Sequence, residues 1–181
     1  QIDGRAIEGQ RMKRIVLTGA ESSGKSTLAQ ALAAHYGEPW STEYVRHYVD
    51  TLEGELQAKD LEPIARGQLA LENDGAAQAQ RLVLHDTNIL SSIIYAQYYF
   101  DTTIDWVNDA FLQRDYSLYL LCMPDIPWTA DAGQRESPEA RATLHDIFKD
   151  SLDILQIPYV EIYGNSEARQ AQAVRAIDAI L

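Results

Sequence analysis

At 181 residues the chain is long enough for one domain with a sizeable core and too short for two comfortable ones. Hydrophobic residues make up 46% and charged residues 23%, and 27 acidic against 15 basic residues give a formal charge of −12; a duplex-binding protein needs a basic footprint to displace counterions, so no nucleic-acid partner is expected. The longest apolar run, Tyr119–Met123, is far short of a membrane span, and a single cysteine, Cys122, excludes an intrachain disulfide, so no membrane partner and a cytoplasmic location are expected.

Residues 1–11 carry no apolar periodicity, and Met12 follows them directly. They read as a tag or flexible tail, which leaves 12–181 as one domain. From Arg14 to Thr18 a short β-branched apolar run predicts a buried strand, followed by a helix carrying Leu28, Ala31, Leu32 and Tyr36 and stopped by Gly37. Residues 39–42 predict a weak second strand. Residues 44–80 read as helical with a break near Lys59–Pro63. Strands are then expected at 81–86, 116–123 and 158–163. Helices are expected at 88–100, 104–114, 140–156 and 167–180. Strands alternating with helices predict an α/β fold with a five-stranded parallel sheet covered on both faces.

Between the first strand and its helix stands "GAESSGKST", Gly19–Thr27, which fits G-x-x-x-x-G-K-[ST]. Glycines let the backbone turn so that successive N–H groups form an anion nest, and the helix adds the positive end of its dipole. Lys25 would reach the β- and γ-phosphates and the Ser26 hydroxyl would ligate Mg²⁺. A Gly/Ser turn could match by chance, but the strand-to-helix setting is the one that favours phosphate binding. The expected cofactors are therefore ATP and Mg²⁺. No N-K-x-D base-reading motif and no L-S-G-G-Q segment is present, which argues against a guanine-nucleotide switch and a transporter ATPase.

In an open parallel sheet, ligands collect beyond the C-terminal strand ends. After the second strand comes "EYVR", with Glu43 placed to accept a hydroxyl proton or bind a diol and Arg46 one turn on. After the third comes "HDTN". Asp86 is the candidate for holding Mg²⁺, and Asn88 could bond the acceptor, whereas His85 is expected to be a core histidine. After the fourth comes "PWTADAGQRESPEAR", whose Arg135 and Arg141 fit a lid that excludes water and neutralises developing charge. Ser137 before Pro138 reads equally as a helix cap. After the fifth come Gly164 and Asn165, suited to close backbone approach to a purine.

These motifs, in this order, resemble the NadR-type nicotinamide riboside kinases across about Lys13 to Leu181. The resemblance implies a P-loop NTPase/kinase fold with an arginine-bearing lid. It implies ATP-dependent phosphorylation of the 5′-hydroxyl of nicotinamide riboside, giving nicotinamide mononucleotide for NAD salvage. By matching motif it carries Gly24, Lys25, Ser26 and Thr27 to phosphate and metal binding; Gly19, Glu21, Ser22 and Ser23 of the same loop are nucleotide-binding candidates beside them, and Ser26 and Asp86 are the candidates at the metal. Glu43, Arg46, Asp86 and Asn88 fall in the acceptor site, Arg135 in the lid, and Arg141, Gly164 and Asn165 around the nucleotide. Asn88 stands where the resemblance leads one to expect a second acid. Trp40, Tyr44, Tyr95 and Tyr98 are candidates to stack on a cationic pyridinium, though any one of them could be a core aromatic. An acidic protein also steers cations inward. Either Glu43 or Asp86 would act as the base, with Lys25 and Arg135 stabilising the transferring group. The expected partners are thus a nucleotide and a small nucleoside, with a homo-oligomer left open. A kinase for another nucleoside or cofactor precursor, and a regulatory ATP-binding module without phosphotransfer, are the competing readings.

Overall fold

The computed structural model describes residues 11–129 and 137–181. Five strands, β1 (Lys13–Thr18), β2 (Trp40–Ser41), β3 (Leu82–Asp86), β4 (Leu118–Cys122) and β5 (Tyr159–Ile162), form one sheet in the order β2-β3-β1-β4-β5. All four pairings are parallel. The seven helices described are α1 (Lys25–Tyr36), α2 (Tyr44–Asp50), α3 (Leu61–Gln78), α4 (Ile89–Phe100), α5 (Asp105–Gln113), α6 (Pro138–Ile154) and α7 (Ser166–Asp178).

The sheet divides two apolar layers. Ile15 and Leu17 of β1 join Leu28 and Leu32 of α1 and Ile177 of α7 on one face. Val16, between them in sequence, joins Ile94 of α4, Phe111 of α5 and Phe148 of α6 on the other. Period-2 alternation within a run that is apolar throughout produces this two-sided burial. Each of these fully buried aliphatic side chains contributes about 1.5–3 kcal/mol.

Several helix ends follow their local sequence. Gly37 closes α1 in the left-handed conformation (φ 63°) with its N–H on the Ala33 carbonyl. Ser137 caps α6 by accepting from the Ala140 N–H, with Pro138 at the first helical position.

The expected break in the second helical region lies earlier than Lys59–Pro63. Helix α2 ends at Asp50, and a loop plus a 3₁₀ turn, Ala58–Asp60, precede α3. Pro63 sits inside the first turn of α3, where an amide has no intrahelical partner to lose, so it does not break the helix. The expected tail lies outside the described residues except for Arg11, whose guanidinium pairs with Asp115 at 2.9 Å. Among the described residues no helix is long and apolar enough to cross a membrane.

Candidate functional site

The loops after β1, β2 and β3 meet at the C-terminal edge of the sheet. The β1–α1 loop is pinned against β4. A Cβ on Gly19 would stand 2.9 Å from the Cys122 carbonyl oxygen, and its φ of 126° is one that side-chain-bearing residues avoid. Ser22 is also left-handed (φ 54°), and Gly24 enters α1 at φ 82°. Lys25 is buried, and its Nζ donates to the carbonyls of Gly19 (3.0 Å) and Ala20 (2.7 Å), so the ammonium lies across its own loop. The Ser23 hydroxyl donates to the Ala20 carbonyl at 2.6 Å. Thr27 lies in the first turn of α1.

Two arginines hold this loop from behind. Arg141 of α6 donates through Nη1 to the carbonyls of Ser22 (3.1 Å) and Ile126 (2.9 Å). Arg169 of α7, 4% exposed, donates to the carbonyls of Ser23 (2.6 Å), Met123 (2.8 Å) and Gly164 (2.8 Å) and pairs with Asp125. These guanidiniums occupy loop carbonyls and compete for none of its amides, since a guanidinium only donates. Asp125 also accepts the Gly164 N–H at 2.7 Å, which ties the β5–α7 turn to the same brace. Asn165 caps α7 through the Ala168 N–H, so its side chain is engaged in its own helix. Arg135 lies outside the described residues.

Beside the loop, the Ser26 hydroxyl donates to Asp86 Oδ2 at 2.5 Å. Asp86 Oδ1, Thr18 Oγ1 and Asn88 Oδ1 are buried without a hydrogen-bond partner among the described residues. Leaving such a group unmade costs about 1–3 kcal/mol. Among the described residues there is no cluster of three or more His, Cys, Asp or Glu side chains suited to a metal. One carboxylate, one hydroxyl and an uncommitted buried oxygen nevertheless fit Mg²⁺, which keeps several waters and takes few protein oxygens. Asn88 donates through Nδ2 to the Tyr119 hydroxyl at 3.0 Å and heads α4 without a side-chain cap bond. His85 is a fully buried core group, bonded to Ser41 Oγ (2.7 Å) and Arg14 Nη1 (3.1 Å). Burial drives its pKa down to about 3, and Arg14 and Arg114 add to the shift, so the ring is neutral. As Arg14 can only donate, Nε2 accepts and the Nδ1 proton goes to Ser41.

A cavity of about 540 Å³ opens beside the loop, lined by Glu21, Glu43, Arg46, Asp50, Gln68, Ser91, Tyr95 and Tyr99 among others. Glu43 is 5% exposed and stands just ahead of α2 in extended conformation, where it accepts from Arg46 Nε at 3.2 Å. Burial pushes the Glu43 carboxyl above its ordinary value; Lys25 opposes the shift and Asp86 adds to it. That mutual influence places Glu43, Lys25 and Asp86 within electrostatic reach of one another.

The aromatic lining differs from the sequence reading. Trp40 packs against the core layer that contains α1 and does not line the cavity, because strand alternation turns it to that face. Tyr44 does not line it either; its ring fills the space over Gly67 of α3. Tyr98 is 38% exposed and stands at the rim as an edge-on neighbour of Tyr99. The rings that line the cavity are Tyr95, Tyr99 and Phe100, the first two stacked at 5.7 Å, one helical turn apart on α4.

Arg169 and Gln68 were not legible as site residues. Arg169 belongs to "YGNSEAR" but reads as one more helix-surface cation. Gln68 is buried, accepts the Tyr44 N–H at 3.1 Å and donates to Glu72 at 3.2 Å. Its only sequence signal is a polar residue four positions from Ile64 and from Glu72, on the face that α3 buries.

The chain is 25% identical over 175 residues to the trifunctional NAD biosynthesis/regulator protein NadR of Escherichia coli K12, covering 93% of this chain and 42% of that protein. It therefore spans less than half the length of this curated relative. A solved NadR protein in complex with NR superposes with a TM-score of 0.79 at 24% identity, over 93% of this chain and 51% of that one. Thymidylate kinase from Candida albicans superposes with a TM-score of 0.71 at 16% identity, over 93% of this chain and 92% of that one. These likenesses show the fold, a P-loop NTPase/kinase architecture. A family model for an AAA domain matches residues 14–169, and with more than half of its length so matched, the chain belongs to the AAA domain family.

Proposed function

We propose that this protein is an ATP-dependent small-molecule kinase whose acceptor is the 5′-hydroxyl of nicotinamide riboside, giving nicotinamide mononucleotide. One observation carries the reading. Glu21 of the phosphate loop and the buried Glu43 line one cavity, and Glu43 is within electrostatic reach of Lys25 and of Asp86, the partner of Ser26. A polyphosphate held at Gly19–Thr27 would present its terminal phosphorus to whatever fills that cavity. A purely regulatory nucleotide module needs no acid-lined chamber beside its phosphates.

In the proposed reaction Lys25 leaves the Gly19 and Ala20 carbonyls and takes the β- and γ-phosphate oxygens. Ser26 and Asp86 would hold Mg²⁺, which when bound neutralises charge on those oxygens. The acceptor oxygen attacks the γ-phosphorus, the bond to the β-phosphate oxygen breaks, and ADP leaves. Glu43 takes the hydroxyl proton. Its raised pKa makes it the stronger base, whereas Asp86 is engaged with Ser26. Arg46 holds Glu43 in place and adds positive charge beside the transferring group.

The cavity's chemistry supports a cationic acceptor. Glu21, Glu43 and Asp50 outnumber Arg46 among its charged lining groups, and the Tyr95–Tyr99 stack offers ring faces for a pyridinium. NadR relatives make nicotinamide riboside the first acceptor to try. Incubation with ATP, Mg²⁺ and nicotinamide riboside is expected to yield the mononucleotide by mass. Phosphorylation of thymidine or deoxyadenosine instead would keep the kinase and replace the acceptor. ATP binding with no phosphorylated product across the panel would overturn the reading.

A further inference from the structure

At the opposite end of the sheet lies a second cavity of about 570 Å³, lined by Arg11, Arg14, Asn73, Gln113, Arg114 and Asp115 with apolar neighbours. Three guanidiniums in one recess are unexpected in a chain of net charge −12. Arg11 is neutralised by Asp115 at 2.9 Å. Arg114 bonds Asn73 Oδ1 at 2.8 Å and reaches Glu72 Oε1 only at 3.9 Å. Among the described residues the partners of Arg14 are the Glu72 carbonyl oxygen (3.4 Å) and His85 Nε2 (3.1 Å), both uncharged. Glu72 is fully buried, and its carboxylate also accepts from Tyr116 (2.5 Å) and Gln68 (3.2 Å). That one carboxylate is paired with Arg114 and carries two further bonds, whereas Arg14 meets only the main-chain carbonyl of the same residue. Burial, and then the proximity of Arg114, lower the Arg14 pKa, and Tyr116 and the nearby Glu72 carboxylate only oppose that shift.

Two threads of polar contacts, the second beginning with the 3.9 Å Arg114–Glu72 ion pair, run from this recess and end on either side of Glu43. One passes from Arg14 through His85 to Ser41. The other passes from Arg114 through Glu72 and Gln68 to the Tyr44 N–H. Gln68 itself lines the acceptor cavity.

The geometry points to a second ligand site here, one that takes a phosphate group, free or as a phosphomonoester, on Arg14 and Arg114 and is coupled through Glu72 and Gln68 to the turn that carries Glu43. The guanidinium fork matches a tetrahedral oxyanion in charge and in donor spacing. An anion on the two arginines draws Arg114 from Glu72, and the change passes along the second thread to the start of α2. The site needs no phosphotransfer, so it stands or falls separately from the proposed reaction.

The test is calorimetric titration of inorganic phosphate, and separately of glucose 6-phosphate, into protein saturated with Mg²⁺ and a non-hydrolysable ATP analogue. Saturable binding of either is expected, about tenfold or more weaker in Arg114→Gln and only partly restored in Arg114→Lys, which keeps the charge but not the fork. The tighter of the two identifies the free or the esterified anion as the source. Binding is expected to persist in Lys25→Ala, which separates this recess from the phosphate loop. In amide NMR the Tyr44 resonance should move on saturation, and in Gln68→Met it should stay still while phosphate still binds. Absence of saturable binding in both arms, binding indifferent to Arg114→Gln, or an unmoved Tyr44 amide in the parent protein overturns the inference.

Discussion

The two halves of the cleft are held by different means. On the nucleotide side the ligand surface is backbone, turned inward by Gly19 and Gly24 and braced from outside by Arg141 and Arg169 on the carbonyls of Ser22 and Ser23. On the proposed acceptor side the surface is largely side chain, contributed by α2, α3 and α4, and burial works against the ionised form of Glu43 despite its pairing with Arg46; between the halves, Asp86 Oδ1 has no partner among the described residues. A backbone nest binds any polyphosphate, so the same loop serves many reactions. We propose that specificity and proton transfer come from the other half, where the buried Glu43 lies.

Substitutions should separate the halves. Lys25→Ala removes the buried cation of the phosphate loop, and kcat/KM should fall by on the order of 10³-fold; steady-state phosphotransfer with ATP measures this. On the acceptor side, Glu43→Gln should lower kcat by roughly 10²–10³-fold with little change in the KM for ATP. Asp86→Asn should instead raise the Mg²⁺ concentration needed for half-maximal rate. Identical kinetic signatures for these two variants would contradict the assignment of base and metal ligand.

Arg169→Ala strikes the nucleotide side without touching ligand. One buried and two part-buried carbonyls lose their donor, which should destabilise the fold by about 2 kcal/mol, seen in urea unfolding, and raise the KM for ATP more than that for the acceptor. Arg141→Ala should do the same to a smaller extent.

The smallest effect is thermodynamic. Folding raises the Glu43 pKa, so the folded state holds that proton more tightly than the unfolded chain. Below the unfolded value near 4.5 the carboxyl is protonated in both states and carries no penalty. As pH rises through the folded pKa the relative stabilisation is lost. Glu43→Gln should therefore melt higher than the parent at alkaline pH and converge with it in acid. A gap that widens in acid would contradict the burial argument.

The same division explains what was legible in the sequence. The phosphate loop is local: nine consecutive residues specify the turn, the cation and the hydroxyl, and their strand-to-helix setting follows from "RIVLT" before them. The strands were readable because a two-faced sheet demands continuous apolar runs. The acceptor half depends on tertiary partners instead. Which way Trp40 faces is decided by the register of a two-residue strand with Leu84 and Ser41 with His85, and no pattern that short fixes a face. Gln68 and Glu72 interrupt the apolar stripe of α3 with polar groups whose partners, Tyr44, Tyr116 and Arg114, lie at least 24 residues away in sequence. Arg169 grips carbonyls 146 residues upstream at Ser23, a pairing only the closed sheet brings about.

The central claim is that the phosphate loop aims a terminal phosphorus at an alcohol held between Glu43 and Asp86. A crystal structure with Mg²⁺, a non-hydrolysable ATP analogue and nicotinamide riboside tests it most directly. The 5′-oxygen is expected about 3–3.5 Å from the γ-phosphorus, within hydrogen-bond reach of Glu43, with the pyridinium against Tyr95 or Tyr99. An acceptor bound outside that cavity, or a γ-phosphate directed away from Glu43, would contradict it.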